Sequence, residues 1–399
     1  MEPIVKSCAG LDVHKMMVMV TIRKETEQGI EEITQSFGTL KKERLKLCHF
    51  LKQHHIELAV MESTGVYWKS IYLSLVTAGI KTQVVNARHV KNVPGRKTDV
   101  INNQWLASLG HYGLVRSSFV PAPQQKQLRL LTRRRDKQKK ELSNEKNRLH
   151  KTLDDAGIRL GGFISDINGK SGQILVNGLI EGKPLCDLIK MVDPRLKADR
   201  SELMASMDET LTPSHFYILR NIKNHIEFLE KQLAELETLI IETIKPWNEA
   251  LELLQTIPGT SVISAACLIG EIGDDMSCFD GIKGISSWAG LCPGNNESAG
   301  KRKSGRMRKG NKMVKTLLCE VANAAVKTKS QFKGKYQGLV IRRGHKRSII
   351  AIAHKLLRII YTVLSRRKAY FDPDINYEEL MVRRNSPRWL QMMVKYNMV

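Results

Sequence analysis

Residues 6–22, KSCAGLDVHKMMVMVTI, constrain the fold more than any other stretch of the chain. Two apolar, strand-like runs flank a short polar break, and the first run carries Asp12 among small and apolar neighbours. An ionised carboxylate facing a sheet core is costly unless it is paired or bound to a metal, so Asp12 asks for a cation or a solvent-facing register. A lone Asp in such a place is most often a solvated turn residue. Two more isolated acids in comparable places, Glu62 and Asp99, shift the balance toward a shared role.

The order of the following segments predicts the architecture around these acids. Residues 30–37 read as a third strand, and Thr39 opens an amphipathic helix with Leu40, Leu47, Phe50 and Leu51 at helical spacing. A short buried strand over 57–62, a helix over about 65–78 and a strand over 82–86 come next, then a basic loop over 88–97 leading into a helix that contains Asp99. Three sequential strands followed by helix, strand, helix, strand and helix is the order of a mixed sheet covered by helices, an α/β ribonuclease H-like layout. Glu62 then falls at the carboxyl end of a strand, where ligand sites of open α/β sheets collect. Asp12, Glu62 and Asp99 converging on one or two divalent cations form a hard oxygen set, which fits Mg²⁺.

Charge narrows the partner. Lys plus Arg number 64 against 40 Asp plus Glu, a formal net charge of +24, which points to a polyanion and most simply to nucleic acid. The seven cysteines contain no CxxC pair and suggest neither a zinc module nor a disulfide framework; they read as reduced and intracellular. The first residues lack a signal-peptide pattern, and the longest apolar stretch, 349–364, is interrupted by His354, Lys355 and Arg358, so no segment is expected to span a membrane.

Val120-Pro121-Ala122-Pro123 reads as a stiff linker closing a first domain, 1–120. Residues 126–151 then carry eleven Lys or Arg against three acids on a sparse helical stripe of Leu. A solvated face is the bland explanation, but a local net of +8 exceeds what solubility needs, and Arg133, Arg134, Arg135, Lys139 and Lys140 are expected against a nucleic-acid backbone. Residues 157–212 show no legible chemistry. Leu219, Ile222, Ile226, Leu229, Leu233, Leu236 and Ile240 alternate spacings of three and four, a coiled-coil seam whose partner is helix 126–151, a second chain, or both. This makes 121–248 a helical, coiled-coil oligomerisation region.

In the remaining part, 249–399, LLQTIPGTSVISAACLIGEIG has the shape of a helix-hairpin-helix, which offers backbone N–H groups to phosphates; an ordinary core hairpin fits as well. Between residues 301 and 315 stand eight Lys or Arg and no acid, with glycines interspersed, as suits a loop lying against phosphates. Lys301, Arg302, Lys303, Arg306, Arg308 and Lys309 are its expected contacts. Ser298 stands at the edge of this cationic field. Most serines in Gly-rich loops only form the loop, and a nucleophile is the sharper alternative.

Six motifs taken together resemble the transposases of the insertion sequence 110 family, the bridge-RNA-guided serine recombinases. They are GLDVHK around Asp12, MESTGVYW around Glu62, GRKTDVINNQWLA around Asp99, then TIPG, SWAGLCPGNNESAGK and RKGNKMVKTLL. The resemblance implies a RuvC-like catalytic domain, a coiled-coil dimerisation segment and a mostly α-helical C-terminal transposase domain whose serine attacks DNA. It implies Asp12, Glu62 and Asp99 as metal ligands, Ser298 as nucleophile through a covalent phosphoserine, and Mg²⁺ as cofactor. Donor and target DNA, a guide RNA and further copies of the chain, as dimer or tetramer, are the implied partners, in a prokaryotic cytoplasm at the nucleoid. The family's fourth acid falls at position 102, where this chain has Asn102. Two other functions compete: a structure-specific nuclease in which the acids activate water, and a non-catalytic nucleic-acid-binding copy.

Overall fold

The computed structural model describes every residue except 1–2, 28, 64, 88–89, 91–92, 94–101, 197, 293–295, 299–300, 305–308, 374–376 and 399; for 296–298, 301–304, 377–378, 381 and 384–385 it describes the backbone. The chain divides into two compact units, Met1–Val120 and Pro121–Val399.

The first unit is built on a five-stranded mixed sheet: β1 (Ser7–Val13), β2 (Met17–Thr26), β3 (Gly29–Gly38), β4 (Leu58–Glu62) and β5 (Thr82–Val85), ordered β3-β2-β1-β4-β5. β1, β2 and β3 run antiparallel in sequence, while β4 is parallel to β1 and β5 parallel to β4. Helices α1 (Lys41–Gln53) and α2 (Trp68–Thr77) cover one face, burying Leu47, Leu51, Ile71 and Leu75 against Ala9, Leu11, Val20 and Ile22. Helix α3 (Asn102–His111) covers the other, with Leu106 and Leu109 on Cys8, Leu58 and Val60. Strand alternation, two faces each apolar, explains why β1 is buried along most of its length. The ribonuclease H-like expectation agrees with this strand order and these directions. Thr39 does not open α1, which starts at Lys41 with Leu40 at its N-cap; Thr39 instead donates its hydroxyl to the Lys15 carbonyl at 2.9 Å.

Gly10 sets how closely α3 approaches the sheet. A Cβ at Gly10 would lie 2.0 Å from the Asn103 carbonyl oxygen and 2.3 Å from the Ala107 nitrogen, both backbone atoms of α3. Gly110 does the same from the helix side, where a Cβ would meet Cys8 Sγ at 2.5 Å. Buried Asn103 fixes the helix start by donating to Thr21 Oγ1 at 2.9 Å. Gly10→Ala is therefore expected to destabilise this unit by about 3 kcal/mol, the upper part of the usual overpacking range, because a helix backbone must move rather than a side chain. Thermal unfolding of the variant checks it, and an unchanged midpoint would refute the close contact.

The second unit is helical: α4 (Pro123–Asp155), α5 (Lys170–Ile180), α6 (Leu185–Met191), α7 (Arg200–Ala205), α8 (Pro213–Thr243), α9 (Asn248–Gln255), α10 (Val262–Ile272) and α11 (Gly281–Trp288), then a hairpin of β6 (Asn296–Ser298) and β7 (Lys301–Ser304), then α12 (Lys312–Ala325), α13 (Gln331–Arg366, interrupted at Gly344) and α14 (Tyr377–Lys395). The apolar seam of α8 finds its partner within the chain. α8 lies antiparallel on α4, with Leu219, Ile222 and Ile226 in one core with Leu149 and Leu153. Arg135–Glu237 at 2.6 Å and Lys146–Glu230 at 2.7 Å flank the pairing. Leu229 and Ile240 are buried as well, while Leu233 and Leu236 are half-buried. Residues 157–212 supply the rest of that core through Leu175, Leu188 and Leu203, which accounts for a stretch whose role was not legible. Residues 121–248 and 249–399 fall in one compact unit, because α4 also packs on α10.

Two expectations for this unit change. The hairpin turn between α9 and α10 faces protein: a Cβ at Gly259 would meet the Ala325 nitrogen at 2.5 Å and the Val321 oxygen at 2.7 Å, so that side of the turn is packed on α12. Residues 296–298 and 301–304 form a two-stranded antiparallel sheet rather than a loop, with Ser298 opposite Lys301. Helix α13 alone among the described helices is long and apolar enough to cross a membrane, but half of that window is buried in the protein, with Ile352, Leu356 and Ile360 in the core.

Candidate active site

Strand parity and register bring two of the expected acids together. Leu11 of β1 lies beside Met61 of β4, so Asp12 and Glu62 are the next residues on adjacent parallel strands, about 4.8 Å apart across the ladder. Both share the face of Cys8 and Val60, the face covered by α3, and both are half-buried. The core ends there. Beyond it α3 begins with Asn102, whose Nδ2 donates to Asp12 Oδ2 at 3.3 Å. The close approach that Gly10 permits is what sets the first turn of α3 over the strand end. Asp99 lies outside the described residues; only its place in sequence, three residues before Asn102, is known.

His14 was not singled out by the sequence reading and belongs to this group. It sits in the β1–β2 connection with Nε2 3.5 Å from Asp12 Oδ2. The signal was available in GLDVHK, two residues from Asp12, but a polar residue in a tight turn has an ordinary explanation.

The donor set suits a hard divalent cation. Asp12 and Glu62 offer carboxylate oxygens at the half-exposed edge of a core, and Asn102 can turn its amide oxygen where the nitrogen now donates. No cluster of three or more His, Cys, Asp or Glu with metal-binding geometry occurs among the described residues, which exclude Asp99. The chemistry within reach is that of a cation held at a strand end against a phosphate oxygen.

The second unit carries the other expected residues. Ser298 is the last residue of β6, opposite Lys301; its side chain and those of Lys301, Arg302 and Lys303 lie outside the described ones, as do residues Arg306 and Arg308 altogether. Lys309 is exposed. The described chain that resumes at Lys309 is closely packed at its next two residues. A Cβ at Gly310 would meet the Gly290 nitrogen at 2.2 Å, and the Asn311 N–H donates to the Trp288 carbonyl at 3.0 Å. Asn311 Oδ1 caps α12 by accepting from Met313 and Val314, and its Nδ2 donates to Glu271 Oε2 at 2.7 Å.

Glu271 connects this segment to the basic helix. Its side chain is 2% exposed, and Arg133 grips it with Nε at 2.6 Å from Oε1 and Nη2 at 3.0 Å from Oε2, with Arg129 Nε 3.7 Å away. Burial alone would push the Glu271 carboxyl up; Arg133, Arg129 and Asn311 outweigh it and hold the group below its ordinary value. Burial likewise pushes the Arg129 guanidinium down to about 10, against the opposing pull of Glu271. Among the other basic residues expected on nucleic acid, Arg135 pairs with Glu237, Lys139 with Glu320 at 3.1 Å, and Lys140 with Asp136. Arg134 is exposed and makes no ion pair among the described residues. Helix α4 thus spends much of its charge on neighbouring helices.

Two family models match this chain. A family model for DEDD transposases of the IS110 type, described as Transposase, matches residues 9–158, and one described as Transposase IS116/IS110/IS902 family matches residues 251–337. The transposase for insertion sequence element IS1111A of Coxiella burnetii is 25% identical over 361 residues, 88% of this chain and 90% of that protein. A probable family 20 transposase of Pseudomonas aeruginosa is 29% identical over 158 residues, 38% of this chain and 46% of that protein. Among solved structures, Thermus thermophilus RuvC aligns with 28% of this chain and 99% of its own at 12% identity, with a TM-score of 0.22. Two models of one family, matched in order along the chain, and a relative matched over nearly the whole length of both proteins lead to one conclusion: the chain belongs to the IS110 family of transposases.

Proposed function

We propose that the chain is an RNA-guided DNA transposase that cuts and rejoins strands through a covalent phosphoserine at Ser298, working as a homo-oligomer. The observation that carries the reading is the meeting of Asp12, Glu62 and the first turn of α3 at one strand end, in a chain of this family. Asp12, Glu62 and Asp99, with the amide oxygen of Asn102, are the residues that would hold Mg²⁺. Bound there, the cation would polarise a phosphoryl oxygen and offset charge on the attacking or leaving oxygen. Ser298 Oγ attacks phosphorus, the bond from phosphorus to the leaving sugar oxygen breaks, and the hydroxyl proton ends on that oxygen. The phosphoserine ester keeps the bond energy, so a second sugar hydroxyl can displace the serine and rejoin the strand. The cations Lys301, Arg302, Lys303, Arg306, Arg308 and Lys309 neutralise phosphates near the serine. Arg133 acts here through Glu271, which also binds Asn311 after the hairpin in sequence, and Arg134 is the cation of the triplet most available to a phosphate.

The test is a protein–DNA adduct that survives denaturation. Ser298→Ala is expected to abolish the adduct while leaving nucleic-acid binding within a few-fold, because one hydroxyl contributes little beside many charge contacts. An adduct that persists in the alanine variant moves the nucleophile elsewhere, with Ser304 the next candidate. Metal-dependent cutting with no adduct in the wild type would favour the water-activating nuclease. One observation favours a third reading, a binding copy without cleavage: Asn102 already satisfies Asp12 with a neutral N–H, the position at which the family has a fourth acid. Absence of any Mg²⁺-dependent cutting with binding intact would establish it.

A further inference from the structure

A cleft of about 570 Å³ opens on the outer face of α13, between its second half and the returning segment 368–371. Its described lining includes Lys335, Lys355, Arg358, Arg366 and Lys368 and, among the described residues, no Asp or Glu. Five cations around one concavity, with no acid among the described lining residues, are more than a solvated helix face needs, and the volume is that of a small-ligand site. The wall is built rather than loose. The Tyr370 hydroxyl accepts from Gln331 Nε2 at 2.5 Å, and its backbone N–H donates to Thr256 Oγ1 at 2.9 Å. Asp372 accepts from the Gln331 backbone at 3.1 Å, and Arg367 pairs with Asp274 at 2.8 Å. Between these anchors Phe371 stands at the lip of the cleft, 84% exposed, an aromatic face held out to solvent at the edge of a cationic hollow. The Lys355 ammonium is half-buried on Gln331 Oε1 and lies 5.8 Å from the Phe332 ring; burial pushes its pKa down, with Asp372 opposing. An anion in the cleft would relieve that cost.

We infer that this cleft takes one unpaired nucleotide of a single nucleic-acid strand, its phosphate on Arg358, Arg366 and Lys368 and its base on Phe371. A fixed aromatic beside a cationic track is how proteins hold single strands regardless of sequence, and a base still stacked in a duplex could not reach the ring. The inference rests on the reading of the chain as a nucleic-acid enzyme and adds a site built from residues other than Ser298 and the acids. It is tested with the full chain and three probes of equal length: oligothymidylate, oligouridylate and a duplex. Phe371→Ala, conservative of fold because the ring is exposed, is expected to weaken single-strand binding roughly tenfold and leave the duplex unchanged. Arg358→Ala with Lys368→Ala should reduce the salt slope of single-strand binding by about 0.7 for each phosphate that is no longer neutralised. A greater loss on thymidylate assigns the cleft to DNA, and a greater loss on uridylate assigns it to RNA. Unchanged single-strand affinity in Phe371→Ala, or an equal loss on the duplex, overturns the inference. Ser298→Ala should retain the Phe371-dependent binding, so a missing adduct and a missing nucleotide site are separate failures.

Discussion

Asn102→Asp is expected to raise Mg²⁺-dependent strand cleavage by orders of magnitude without changing the salt dependence of nucleic-acid binding. Asn102 starts α3 and already reaches Asp12, 3.3 Å away, so a carboxylate at this position would add a charged ligand beside Asp12 and Glu62. A neutral amide oxygen can still touch a cation but supplies no charge, which weakens most the second cation of a paired site. Without metal, two carboxylates at this distance repel. The variant should therefore melt at a lower temperature than the wild type in chelator and regain the difference as Mg²⁺ is added. Cleavage and melting across a Mg²⁺ titration read both effects. Equal rates at every Mg²⁺ concentration would remove position 102 from the metal site.

How far the sequence carried is clearest in β1. Its apolar run, broken by one carboxylate, predicted a strand, and the sheet places Asp12 at the end of that strand beside Glu62. Period and charge are local signals, and a single chain displays them. Gly10 was legible only as a small residue before Leu11; its purpose, backbone contact with a helix ninety-three residues later, depends on long-range packing. The same limit hid the role of the basic helix. A run of Arg and Lys reads as an electrostatic surface, yet whether each cation meets a phosphate or a carboxylate depends on acids that are far apart in sequence. Glu271, embedded in the apolar run SAACLIGEIG, was the available clue, since a buried acid in such a helix must have a partner. The seam of α8 shows the reverse case: its period was unmistakable, while its partner, α4, could not be chosen by pattern alone.

Arg133→Ala is the other variant with a large expected effect, on stability and through it on the hairpin that carries Ser298. It would leave Glu271, with a side chain 2% exposed, without its bidentate partner. Removing one member of a buried pair typically costs 3–5 kcal/mol; about 3 kcal/mol is expected here, because Arg133 is itself 44% exposed and Arg129 remains 3.7 Å from the carboxylate. The pH dependence has a definite sign. In the wild type the Glu271 carboxyl is held below its ordinary value, so its contribution to stability is present above that value and is lost as pH falls through the lowered one. Without Arg133 the burial effect dominates and the carboxyl rises. The deficit of the variant should then be largest near neutral pH and shrink on acidification, as Glu271 takes up a proton and ceases to be a buried charge. Glu271→Gln in the same chain should recover part of the loss, making the pair non-additive, and adduct formation should follow stability because Asn311, which follows the hairpin in sequence, bonds the same carboxylate. Thermal melts of the wild type, both single variants and the double variant between pH 4 and pH 8 decide the matter. Strictly additive losses, or a deficit that does not change with pH, would show that Arg133 stabilises the helix through something other than Glu271.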